Sequence, residues 1–101
     1  MKIAVSKPVI GQEEIKNVNQ ALRSKAISGF FGEYIQKFEK EFSKFSQCKY
    51  GVSVSSGTTA LHLALATLNI SKGDEVIIPA ITNMATYFSV IYQGAKPIPV
   101  D

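Results

Sequence analysis

Ser55-Ser56-Gly57-Thr58-Thr59 stands between the β-rich run Tyr50 to Val54 and an unbroken helix-forming stretch that begins at Ala60. A helix starting at this junction leaves the N–H groups of Gly57, Thr58 and Thr59 without intrahelical partners, and the positive end of its dipole faces the same point. A phosphate satisfies both. Gly57 allows the backbone to come close to a ligand, while the hydroxyls of Ser56, Thr58 and Thr59 add donors or cap the helix. An ordinary Ser or Thr N-cap fits the same residues, and no Gly-x-x-x-x-Gly-Lys motif follows them.

Other residues with chemical potential read more simply. Asn83 lies in the loop Pro79 to Ala85, where a turn or N-cap asparagine is the plain reading and Thr82 beside it is the expected helix cap. His62, the single histidine, sits between Leu61 and Leu63 with no metal or base partner near it in sequence, so a packed or surface histidine is expected rather than a catalytic one. Glu13 and Glu14 suit the start of a helix, and Asp74 and Glu75 a turn. The lone Cys48 cannot form an internal disulfide.

The elements that must position the Ser-Gly-Thr-Thr turn follow from periodicity. Ile15, Val18 and Leu22 mark an amphipathic helix over Gln12 to Lys25, and Ile35, Phe38, Phe42 and Phe45 mark another over Glu33 to Phe45. Between them Ser28-Gly29 and Phe30-Phe31-Gly32 form a loop with two adjacent aromatic rings. Tyr50 to Ser55 reads as a strand, and Thr58 to Leu68 as a helix apolar around most of its circumference, which argues for burial on several sides. Glu75-Val76-Ile77-Ile78 has the continuous apolar character of a strand covered on both faces. A third helix over Thr82 to Gln93 ends near Gly94, and Pro97 to Val100 forms a short strand or one beside an edge, because proline cannot donate to a ladder. This alternation is an α/β pattern, helices around a mainly parallel sheet, with ligands expected at the strand-end loops. The division expected is residues 1–49 for the first helices and loop and 50–101 for the start of the α/β domain.

Taken in order, Pro8-x-Ile10-Gly11-x-Glu13-Glu14-Ile15, Ser28-Gly29, Phe38-Glu39, Ser56-Gly57-Thr58-Thr59, Lys72-Gly73-Asp74-Glu75 with Pro79-x-x-Thr82, and Gly94-Ala95-Lys96-Pro97 closely resemble the opening of the sugar aminotransferases of the DegT/DnrJ/EryC1/StrS family. The resemblance covers nearly all of the chain. It implies the N-terminal part of the PLP-dependent transferase fold (aspartate aminotransferase-like, fold type I), with pyridoxal 5'-phosphate (PLP) as cofactor. It implies transfer of an amino group from an amino acid, glutamate, to a nucleotide-linked keto sugar, in a homodimer. Carried over residue by residue, it assigns the cofactor phosphate to Gly57, Thr58 and Thr59 with Ser56 adjacent. It sets Asn83 against the pyridine ring, where relatives often carry an aromatic residue. It also makes Ser28, Gly29, Phe30 and Phe31 a loop on the substrate side.

The lysine that carries the cofactor in this family lies beyond residue 101, and none of the ten lysines here is in its motif, so the chain alone is expected to be inactive. Relatives with histidine in place of that lysine are sugar dehydratases, which makes dehydration the alternative activity. A non-enzymatic module for a phosphorylated ligand, and a purely structural remnant, are the readings from other classes. The net charge of +3 is spread without a basic block, which speaks against a nucleic-acid module. No apolar run approaches the roughly 20 residues of a membrane span, no signal core follows Met1, and a cytoplasmic home is expected.

Overall fold

The computed structural model describes residues 3–4, 6–29 and 32–101, in two compact units, Met1–Gly51 and Val52–Asp101. Phe30 and Phe31 of the expected substrate-side loop lie outside the described residues.

In the first unit, α1 spans Gln12–Arg23 and α2 spans Tyr34–Phe45. The Gly11 N–H donates to Glu14 Oε2 at 2.7 Å, so an acid in the first turn takes up a donor that the helix cannot satisfy. The α1 helix ends two residues before the expected Lys25. Lys25 turns left-handed at φ 58°, its N–H reaching Leu22 O and that of Ala26 reaching Ala21 O. Gln47 does the same after α2, at φ 56°. Both close their helices by the Schellman arrangement without the usual glycine. Along α2, Phe38 stacks on Phe42 with ring centroids 5.4 Å apart, and Phe42 meets Phe45 at 6.1 Å. This stripe remains more than half exposed.

Past α2 the chain folds back against it at Gly51. A Cβ there would stand 2.7 Å from Glu39 O and 3.4 Å from Ser43 Cβ, an approach only glycine allows.

The second unit holds α3 (Gly57–Thr67), β1 (Glu75–Pro79), α4 (Met84–Tyr92) and β2 (Lys96–Val100). The strands β1 and β2 pair in parallel, Glu75 opposite Lys96 and Pro79 opposite Val100. The α4 helix packs on both strands and on α3. Ile78, Val90 and Ala95 form the core, with Leu65, Ile70, Val76 and Tyr87 around them. Lys96 N–H donates to Asp74 O and Ala80 N–H to Val100 O. Bonding toward β1 alternates along a parallel strand, so Pro97 and Pro99, one position out of phase, turn their nitrogens to the outer side. Lys96 Nζ also meets Glu75 Oε1 at 2.8 Å, but both side chains are mainly exposed and the pair adds little stability.

Three expectations are corrected. Tyr50 to Ser55 is not a strand, because β character is realised only against a partner and the sole ladder among the described residues joins β1 and β2. The β1 strand is covered on one face only: Ile78 is buried while its neighbour Ile77 is 72% exposed. The α3 helix has no buried residue, since its main partner is α4 and Leu61, Leu63 and, at its C-cap, Leu68 stay exposed.

Candidate functional site

Ser56 is the N-cap of α3, extended at φ −161° and ψ 164°. Its Oγ accepts the Thr59 N–H at 3.2 Å, while Thr59 Oγ1 accepts the Ser56 N–H at 3.0 Å and donates to Ser56 O at 2.8 Å. This is a reciprocal capping box with threonine in the third helical position, where glutamate or glutamine is usual. The spacing Ser-x-x-Thr is the sequence signal of that box.

With residues 56 and 59 joined, the donors left over belong to Gly57 and Thr58. Their N–H groups have no hydrogen-bond partner among the described residues, and neither has the Thr58 hydroxyl. A Cβ built on Gly57 meets nothing within 4 Å, so space stands open over the turn. Two parallel N–H groups, a hydroxyl and a helix dipole make a donor set suited to a phosphate.

The α4 helix begins in a related way, but one residue later than expected. Asn83, at φ −71° and ψ 147°, is its N-cap, and its Oδ1 accepts the Ala85 N–H at 3.0 Å. Thr82 is therefore not the cap; its hydroxyl lies 2.9 Å from that of Thr86. The physical reason is register: helical geometry starts at Met84, so Asn83 is the half-in residue, and asparagine serves there at least as well as threonine. With Oδ1 held, Asn83 presents its amide N–H₂ outward from an exposed position.

In the first unit, Ser28 and Gly29 border a groove of about 100 Å³ together with Ala26, Gly32, Tyr34 and Ile35. Gly29 sits close to Ile35, whose Cδ1 would be 3.2 Å from an added Cβ. His62, as expected from its setting, packs: its ring meets Tyr92 edge-on at 5.7 Å. Among the described residues no three His, Cys, Asp or Glu side chains gather as a metal site, and no helix is long and apolar enough to cross a membrane.

Comparison with known proteins bears on this arrangement. GDP-perosamine synthase of Escherichia coli O157:H7 is 48% identical over 99 residues, which cover 98% of this chain and 27% of that protein. The aminotransferase of Psychrobacter cryohalolentis superposes with a TM-score of 0.87 at 36% identity, over 93% of this chain and 24% of that one. A GDP-4-keto-6-deoxymannose-3-dehydratase, solved with a trapped PLP-glutamate geminal diamine, matches with a TM-score of 0.82 at 33% identity, over 99% and 27%. The chain thus spans about a quarter of the length of the curated relatives it matches. Its α/β fold is that of the corresponding part of PLP-dependent aminotransferases. The profile of the DegT/DnrJ/EryC1/StrS aminotransferases matches residues 8–101, and this chain belongs to that family.

Proposed function

We propose that these residues form the phosphate end of a PLP site in an aminotransferase that moves an amino group from glutamate to a nucleotide-linked keto sugar. The observation that carries the reading is the set of unpartnered donors at Gly57 and Thr58 on the N-terminus of α3, in a chain of this family. That set fits the cofactor: the phosphate of PLP is an anion with several acceptor oxygens, and the open space over Gly57 admits it.

In this reading Gly57 and Thr58 grip the phosphate while Ser56 and Thr59 shape the turn around it. Fixing that end sets where the ring lies. Asn83 then offers an N–H at the neighbouring helix start, as a donor to the ring or to one of its substituents. When bound, PLP would supply an electron sink that stabilises negative charge on the amino-bearing carbon. The lysine that carries the cofactor is contributed from sequence outside residues 1–101. Ser28 to Phe31 belong to the substrate side, and the working unit is a cytoplasmic homodimer.

A second reading, sugar dehydration with the same cofactor, is favoured by the match to the dehydratase, which covers 99% of this chain. One assay separates the two. The holoenzyme is given a nucleotide-linked keto sugar and glutamate, and an amino sugar with equimolar 2-oxoglutarate is expected. Loss of water without net amino transfer would make dehydration the answer.

A further inference from the structure

Thr59 Oγ1 has one proton to give and two lone pairs to receive with. The proton goes to Ser56 O at 2.8 Å, and one lone pair takes the Ser56 N–H at 3.0 Å. Ser56 Oγ, which accepts the Thr59 N–H, stands 3.1 Å from Thr59 Oγ1, so with the Thr59 proton on Ser56 O a bond between the two hydroxyls takes its proton from Ser56. Ser55 Oγ, at 3.4 Å, crowds the same oxygen. Nothing of Thr59 is left for a ligand, whereas Thr58 beside it keeps its N–H and hydroxyl unpartnered.

We propose that Thr59 is a positioning residue, which locks the turn so that Gly57 and Thr58 meet the phosphate and does not itself touch it. The inference rests on the PLP reading above. It also explains the choice of residue. Glutamate, usual at the third position of a capping box, would close the turn as well but would put a carboxylate within one helical turn of the phosphate, where like charges repel. Threonine makes the same reciprocal bonds and is neutral.

Three variants of the holoenzyme test this, with PLP affinity read by titration of the resolved apoprotein, the environment of the bound phosphate by phosphorus NMR, and apoprotein stability by thermal melting. Thr59→Val is expected to lower the melting temperature, shift the phosphorus signal and weaken PLP about five- to tenfold, the worth of one or two hydrogen bonds. Thr59→Ser should restore all three. Thr59→Glu, which keeps the box, should melt near the parent yet bind PLP several-fold more weakly, with the deficit shrinking as salt is raised. Weakened PLP in Thr59→Val with an unchanged melt would mean direct contact; a lowered melt with unchanged affinity and phosphorus signal would mean a purely structural cap. Either overturns the proposal. If Thr59→Val does not fold, Thr59→Glu decides: a loss of PLP affinity that added salt does not relieve would mean that the side chain at 59 contacts the phosphate, and overturns the proposal. Thr58→Ala serves as control: if it leaves PLP affinity unchanged, the phosphate reading itself fails, whatever Thr59 does.

Discussion

The side-chain amide of Gln93 donates to the main-chain oxygen of His62 at 3.3 Å, which ties the C-cap of α4 to the middle of α3. The His62 ring lies edge-on to Tyr92 in the same contact, and Tyr92 in turn stacks on Phe88 at 5.9 Å. This is a packing arrangement that needs no proton transfer. His62→Phe is therefore expected to leave PLP affinity and turnover within about twofold, while Gln93→Ala lowers stability by about 1 kcal/mol, the usual net worth of one hydrogen bond. Denaturant melts and steady-state rates check the pair; a large loss of turnover in His62→Phe with stability intact would give the histidine a chemical part.

Asn83 joins two roles that substitution can separate. Asp in its place still accepts the Ala85 N–H, so Asn83→Asp should melt within about 0.5 kcal/mol of the parent, while Asn83→Ala should lose about 1 kcal/mol with the cap. Only the outward amide proton is lost in both. A drop of several-fold in PLP affinity for the two variants alike is the expected titration result, and parental affinity in Asn83→Asp would reduce Asn83 to a cap.

Two backbone sites in the first unit should respond in opposite directions. Gly51→Ala drives a methyl to 2.7 Å from Glu39 O and is expected to destabilise by about 1 to 3 kcal/mol. Gln47→Gly relieves a left-handed non-glycine residue and should stabilise by about 0.5 to 1 kcal/mol. Equilibrium unfolding of both variants gives the signs directly. A neutral Gly51→Ala would mean that the segment after α2 shifts freely.

The 101-residue polypeptide, prepared alone, is expected to self-associate. Among the described residues its buried apolar core is Ile78, Val90 and Ala95, while Phe38, Phe42, Phe45 and Ile77 stand more than half exposed. Sedimentation should show oligomers, and heating a broad transition; a sharp melt of a monomer would contradict this. Borohydride reduction of that polypeptide with PLP should label several exposed lysines sparsely. Stoichiometric label at one lysine would show that the cofactor-carrying residue lies within residues 1–101.

What could be read from sequence was what depends on near neighbours. The spacing of Phe38, Phe42 and Phe45 marks a helix because a 3.6-residue period is local, and the Ser56 turn was legible because cap and donors fall within four residues. Tyr50 to Ser55 misled because a strand depends on a partner far along the chain, and side-chain propensity cannot say whether that partner is present. The left-handed closures at Lys25, Gln47 and Asn69 were hidden for another reason, although the end of α2 at Phe45 was read correctly. Left-handed closure is usually announced by glycine, and here lysine, glutamine and asparagine adopt it. Nor could composition choose between Thr82 and Asn83 as a cap, since both types suit the position and only the first helical residue decides.

The two prolines of β2 give the sheet a valence. Toward β1 the strand bonds through Lys96 and Val100; on its outer flank residues 97 and 99 have no hydrogen to offer. An extended segment arriving on that side would find carbonyls without matching donors, whereas the free flank of β1 lacks only the single donor of Pro79. Lateral growth is thus directed one way, and the flank that β2 presents to other molecules is a poor template for the cross-strand association by which exposed sheets aggregate.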